Sequence, residues 1–130
     1  QMNYTDLITF YGTKDIEATT AFYQDLLGLR LASDQGKCRI FEVAPHALAA
    51  FCEHLDVTHS LKSPMLTFVL DDIDGCFAKL KDHCEVVEPP KRNDQFNLYH
   101  FFILDNNGYT LEFQKFLDPD WNQLRAADSQ

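Results

Sequence analysis

No long apolar run occurs anywhere in this chain. The longest, such as Leu66–Leu70, are about five residues, against the roughly 20 that cross a bilayer as a helix, so a helical membrane span is excluded. Positive charge is also scarce: 11 Lys and Arg stand against 20 Asp and Glu, for a net charge of −9 and a pI near 4.8. A DNA- or RNA-binding module needs a basic face, and so does a surface held to anionic lipid. Neither nucleic acid nor membrane is therefore expected as a partner. The acidity permits a cationic ligand, but it is also a common solubility feature. Gln1–Asp6 holds no basic residue and no apolar core, so no secretory signal is expected there, and Gln1 ahead of Met2 reads as a cloning remnant. The cysteines Cys38, Cys52, Cys76 and Cys84 form no C-x-x-C pair. Without an export signal they are expected to be reduced thiols in the cytoplasm, since a chain of this size builds its core without disulfides. There is also no H-x-x-x-H or H-E-x-x-H, no G-x-S-x-G and no Gly-rich phosphate loop. A zinc-protease helix and a nucleophile elbow are thereby excluded.

What is present is a globular composition, 45 % hydrophobic and 24 % charged over 130 residues, with 11 Phe against five Tyr and one Trp. One domain, residues 1–130, is expected. Leu7–Thr13 reads as a strand, and Asp15 as the cap of a helix whose stripe is Ile16, Tyr23 and Leu27 and whose stop is Gly28. Leu29–Ala32, Arg39–Val43 and Leu48–Cys52 read as short strands. A polar stretch, residues 54–64, reads as a linker, after which the pattern restarts. Met65–Leu70 is a strand, Asp71 or Asp72 a cap, and Ile73, Phe77, Leu80 and Cys84 a helical stripe. Val86-Val87 is a brief strand and Glu88–Gln95 a polar loop. Leu98–Leu104 and Tyr109–Phe116 form a hairpin about Asn106-Asn107-Gly108, and the tail from Asp118-Pro119 can start a short helix carrying Trp121 and Leu124.

The restart is an internal repeat. Asp15-Ile16-Glu17-Ala18 falls on Asp72-Ile73-Asp74-Gly75 at an offset of 57, and the later hairpins align at about 62, which sets Ala50-Phe51 on Glu112-Phe113. The reading is an α+β chain of two tandem βαβββ modules, about 4–53 and 65–116 with a tail at 117–130. They are expected to pair into one curved mixed sheet with helices on its outer face.

Thr13–Leu29 resembles the first-module signature of the vicinal oxygen chelate superfamily, the group of glyoxalase I, bleomycin-resistance proteins, fosfomycin-resistance enzymes and extradiol dioxygenases. Phe68–Asp74, Pro89-Pro90 and Phe102–Phe113 resemble the second. The resemblance covers roughly residues 7–116 and implies a cup-shaped sheet with a ligand inside. In metal-dependent members four cup positions hold the ion. They fall here on Ile8, Ala50, Met65 and Glu112, of which only Glu112 can ligate. No metal and no other cofactor is expected. The remaining metal reading is a rearranged site using His100, Glu112 and one loop histidine.

Strand parity identifies the same face without the family. Thr110, Glu112 and Gln114 alternate with Leu111 and Phe113, so the polar set faces away from the helices. A three-residue turn at Asn106-Asn107-Gly108 pairs Asp105 with Tyr109 and Phe102 with Glu112, and cross-strand partners share a face. The expected lining is Phe10, Ala50, Cys52, Met65, Thr67, His100, Phe102, Glu112 and Gln114, beside Ile8, Leu48 and Thr110. This is a mostly apolar site with a polar minority, as small-molecule sites are. Glu112 and His100 are the candidate catalytic residues. Glu112 reads as a structural relic, a cation-binding group or a general base; His100 reads as its partner or as a satisfied buried histidine. Cys52 reads as a buried apolar thiol, Cys76 and Cys84 as core, and Lys91-Arg92 as a solvated rim. The function expected is a cytoplasmic small-molecule binding protein of the bleomycin-resistance kind, a homodimer without the usual metal ligands. The alternative is a glyoxalase-, isomerase- or dioxygenase-type enzyme with a non-standard site around Glu112 and His100.

Overall fold

The computed structural model describes residues 2–121, and the chain divides into two compact units. The first joins Gln1–Ser60 to the short segment Asp105–Tyr109; the second joins Leu61–Leu104 to Thr110–Gln130. Each builds a four-stranded mixed sheet of the same topology. In the first unit β1 (Leu7–Gly12), β2 (Arg30–Asp34), β3 (Cys38–Ala44) and β4 (Ala47–Cys52) run in the order β1-β4-β3-β2. In the second, β5 (Met65–Val69), β6 (Glu85–Asn93), β7 (Leu98–Leu104) and β8 (Thr110–Phe116) run β5-β8-β7-β6. The first and last strands of each unit are parallel and the other neighbours antiparallel. The expected βαβββ repeat is thus present twice, in an α+β fold.

The helices begin where the caps predict. Oδ1 of Asp15 accepts from the N–H groups of Glu17 and Ala18, both at 3.1 Å, opening α1 (Ile16–Thr20). Oδ1 of Asp72 accepts from Gly75 at 2.9 Å and opens α2 (Ile73–Leu80). The single first helix read from the sequence is corrected in one respect. After Thr20 it widens to a π-helical segment, Ala21–Leu26, in which the N–H of Leu27 reaches the carbonyl of Phe22 at 2.9 Å. Gly28 ends it at φ +75°.

Alternation supplies each core. In the first unit Tyr23, Phe41 and Phe51 are fully buried, with the Tyr23 and Phe51 rings 4.5 Å apart. In the second, Leu66 and Phe68 of β5 register with Leu111 and Phe113 of β8, and these with Ile103 and Phe101 of β7. Phe101 stacks on Phe113 at 4.9 Å and takes the edge of Phe77 from α2 at 5.2 Å. The second-unit face without these side chains is the one that carries Glu112.

Three local readings are corrected. Glu88–Gln95 is not a loop throughout: β6 continues to Asn93, through Pro89 and Pro90. It is an edge strand with register shifts after Val86 and Glu88, where missing amide donors are tolerated. Cys38 and Cys52 are not free thiols. They are direct partners across β3 and β4 and are joined in a disulfide. Cys76 and Cys84 are half-buried rather than core. In the tail, Trp121 donates its N–H to Asp118 and stacks on Phe116 at 4.1 Å, while Leu124 lies outside the described residues.

Candidate functional site

Glu112 stands on β8, a central strand, with β5 on one side and β7 on the other. Its register partner on β5 is Thr67, whose hydroxyl donates to Oε1 at 2.8 Å. Its partner on β7 is Phe102, so His100 lies on the diagonal, and its Nδ1 meets Oε2 at 2.5 Å. One donor therefore arrives from each neighbouring strand. Glu112 is 6 % exposed and His100 8 %. A carboxylate this dry is stable only with such donors, and an ionised acceptor makes short, strong hydrogen bonds. The edge of Phe102 frames the imidazole, ring centroids 4.8 Å apart. Gln114, directly opposite His100, and Phe102 are half-buried, whereas Thr67 and Met65 are exposed. The contact with Glu112 engages Nδ1 and leaves Nε2 as the ring nitrogen outside it.

The first unit places Ile8, Phe10, Leu48, Ala50 and Cys52 on one face of its sheet, as parity predicts. Phe10 and Ile8 are exposed there, but Ala50 and Cys52 are fully buried. Cys52 brings a disulfide sulfur to that face in place of the expected thiol.

Sequence reasoning missed a polar cluster in the first unit. The turn at Asn106-Asn107-Gly108 is as expected, with Asp105 bonded to Tyr109 and Gly108 at φ +91°. Its side chains are tied into the unit. The Tyr23 hydroxyl donates to Oδ2 of Asp105 at 2.6 Å, the Tyr109 hydroxyl to the carbonyl of Gly12 at 2.8 Å, and Thr13 to Oδ1 of Asn107 at 2.8 Å. Burial pushes the Asp105 carboxyl up despite four hydrogen bonds that act the other way, and burial beside Asp105 pushes the Tyr23 phenol well up. The only sequence signal was that Asp105, an Asx-type turn residue, follows an apolar strand. Burial also raises the Cys76 and Cys84 thiols, which keeps them protonated and unreactive.

Two surface clefts accompany these elements. One of about 410 Å³ is lined by Asp71, Asp74, Arg92, Tyr99 and Lys115 in the second unit. The other, of about 360 Å³, is lined by Lys14, Asp15, Val57, His59 and Asn107 in the first. Neither includes His100 or Glu112.

The donor set does not fit a metal ion. Ile8, Ala50 and Met65 offer no ligand, both oxygens of Glu112 are engaged, and no three His, Cys, Asp or Glu side chains are gathered for an ion among the described residues. The rearranged site with a loop histidine is not assembled. His59 Nε2 bonds the carbonyl of Asn107 at 2.9 Å, and Nδ1 of exposed His46 bonds Asp6 at 3.2 Å.

A duplicated βαβββ scaffold with its acidic residue on the last strand of the second unit defines a class. The profile of the Glyoxalase/Bleomycin resistance protein/Dioxygenase superfamily matches residues 5–113, and the chain belongs to that superfamily. Among solved structures it is similar to a glyoxalase/bleomycin resistance protein/dioxygenase from Nocardioides, at 22 % identity and TM-score 0.72 over 92 % of this chain and 87 % of that one. It is similar to the fosfomycin resistance protein FosX from Listeria monocytogenes, at 18 % identity and TM-score 0.73 over 88 % and 94 %. A protein of unknown function from Agrobacterium tumefaciens is similar at 23 % identity and TM-score 0.67 over 88 % and 94 %. No curated protein matches in sequence. At these identities the likeness shows the fold alone.

Proposed function

We propose that the chain binds a small organic molecule on the Glu112 face of the second sheet, without using a metal ion. The observation that carries this reading is the Thr67–Glu112–His100 array. It is a nearly buried carboxyl group and an oriented imidazole set beside Phe102, Gln114 and exposed Met65. Stability alone gives little reason to place such a pair on a sheet face, because isosteric apolar residues do as well. A few placed polar groups among apolar ones orient a ligand. The test is a thermal-shift screen of small aromatic acids, phenols and amines, followed by NMR titration. A binder at a hundred times its Kd adds about 2.7 kcal/mol and shifts the resonances of Thr67 and His100. Silence from every compound overturns the reading.

The same array favours a second reading, an isomerase- or glyoxalase-type enzyme in which Glu112 and His100 move a proton. That reading requires turnover by untreated protein and its loss in Glu112→Gln. A homodimer is part of the proposal. Leu7 and Phe10 on edge strand β1, and Met65 and Val69 on edge strand β5, expose large apolar side chains that a second copy would cover. Sedimentation velocity on the wild type and on Phe10→Ser checks it. No helix among the described residues is long and apolar enough to cross a membrane. The cytoplasm remains the proposed compartment. It requires the Cys38–Cys52 pair to be reduced in cells, which thiol trapping before lysis reads directly.

A further inference from the structure

We infer that the cleft of about 410 Å³ at the start of α2 is a second binding site, one that takes a small zwitterion by its carboxylate and its ammonium, as a free amino acid carries them. It is independent of the Glu112 face. Tyr99 and Lys115 share the opposite, helix-side face with Phe101 and Phe113, a face that parity reserves for the core. Arg92, Tyr99 and Lys115 form one cross-strand row, Arg92 in register with Tyr99 and Tyr99 with Lys115. Past its core layer the sheet thus presents a cation, a phenol and a cation side by side. Asp71, from the loop before α2, and Asp74, from its first turn, complete the polar lining. In a chain with 11 basic residues against 20 acidic ones, two cations in one row concentrate the scarcer sign.

The duplication shows what this place does when its role is structural. At the offset of 57 Lys14 corresponds to Asp71 and Ile16 to Ile73; at the offset of 62 Lys37 corresponds to Tyr99 and Glu53 to Lys115. In the first unit Glu53 ties the sheet to the helix start. Its Oε2 accepts from the N–H of Ile16 at 3.1 Å, and its Oε1 pairs with the Lys37 ammonium at 3.5 Å. In the second unit the signs at positions 71 and 115 are reversed. Lys115 cannot accept, and the N–H of Ile73 turns to the carbonyl of Asp71 at 3.2 Å. The half-buried Lys115 ammonium and the exposed Asp71 carboxylate make no hydrogen bond or ion pair among the described residues. Arg92 gives its Nε to Asp94 at 2.8 Å and keeps the far end of its guanidinium for the cleft. The Tyr99 hydroxyl donates to Oδ1 of Asp74 at 2.6 Å, which pins that carboxylate and leaves Oδ2 to a ligand. Opposite charges that line one cleft without closing on each other match a ligand that carries both. A bare anion would meet the aspartates and a bare cation would meet Lys115 and Arg92, so each half alone is disfavoured.

The probes are the standard amino acids at millimolar concentration, followed by NMR of the amide-labelled full chain. At least one is expected to bind and to move the signals of Asp71, Tyr99 and Lys115. For each binder, the matching amine without the carboxylate and the matching acid without the amine are expected to bind about tenfold more weakly or worse, the loss of one hydrogen bond to a charged group. Lys115→Met and Asp71→Asn are expected to weaken binding by the same factor. Lys81→Gln, at the far end of α2, serves as the control and keeps full affinity. Thermal melts show which variants fold, and for one that does not, the amine and acid comparison on wild-type protein decides. Silence from every amino acid overturns the site. Binding that the amine or the acid alone reproduces, or that survives Lys115→Met, overturns it as well. An amino acid that moves Thr67 and His100 instead of Asp71 and Lys115 overturns the cleft and supports the binding reading of the Glu112 face.

Discussion

On the sheet face turned away from its helix, the first unit carries Cys38, Ile40, Ala50 and Cys52. The second carries His100, Phe102, Glu112 and Gln114 at the positions 62 residues on. The pairings are identical: Cys38 faces Cys52 as His100 faces Gln114, and Ile40 faces Ala50 as Phe102 faces Glu112. On the first strand of each unit, Phe10 beside Ala50 becomes Thr67 beside Glu112. The same backbone thus carries a cross-linked apolar surface in one copy and a hydrogen-bonded acid in the other. The difference teaches that the acid came with its supports. A glutamate at position 50 would have Phe10 and Ile40 as its in-register neighbours, with no donor from either, and would cost several kcal/mol to keep ionised and dry.

The comparison can be broken most forcefully in the cores, where each unit has the most to lose. Tyr23→Ala and Phe101→Ala each remove a fully buried ring, and each is expected to cost about 3–5 kcal/mol in urea unfolding. Tyr23→Ala should sit at the upper end, since it also strips Asp105 of a hydroxyl donor. Equal or reversed costs would mean that the Tyr23–Asp105 contact adds nothing. Next comes the cross-link, which the second unit lacks. Residues 38 and 52 are 14 apart in sequence, a closure worth about 3 kcal/mol on chain entropy. Melting with and without dithiothreitol should show that loss while the NMR signals of His100 stay in place. Then comes the acid. Glu112→Gln weakens two hydrogen bonds to a charged group and is expected to cost about 1.5–3 kcal/mol, whereas Ala50→Ser in the first unit should cost less, as it breaks no network.

Much of this was legible in the sequence because it is local or periodic. The repeat of Asp15-Ile16 at Asp72-Ile73 predicts two modules, and both caps form as read. Alternation on β8 and the turn at Gly108 fix which residues share a face with Glu112, since a slip of one residue would have turned the whole set over. The missed features depend on contacts distant in sequence or on exceptions to propensity. The Cys38–Cys52 pairing was open to inference from the hairpin turn at Pro45-His46, which sets those strands in register. The expectation of reduced thiols pointed the other way. Pro89-Pro90 suggested a loop, and only the edge position of β6 makes them tolerable in a strand. No period in the sequence brings Tyr23 to Asp105, 82 residues away.

The smallest effect is a slope rather than an offset, and it separates the two buried acids of the comparison. Asp105 is pushed up by burial, with its hydrogen bonds from Tyr23, Tyr109 and Asn107 only partly opposing. The folded chain therefore holds that proton at a pH where the unfolded chain has released it. In that window the folded state binds more protons, so stability falls as pH rises. The contribution is complete below the ordinary value of 3.8 and is lost as pH climbs through the folded value above it. Asp6, Asp34 and Glu42 are shifted down and act in the opposite sense at lower pH, but they are common to wild type and variant and cancel in the difference. Asp105→Asn cannot ionise. Wild type minus Asp105→Asn, followed by urea unfolding from below the ordinary carboxylate range up to neutrality, is expected to decline with pH and then level off. A difference that rises with pH would mean that the hydrogen bonds outweigh burial at Asp105. The carboxyl of the first unit would then be governed by its donors, the Tyr23 hydroxyl and the Tyr109 N–H among them, rather than by its burial.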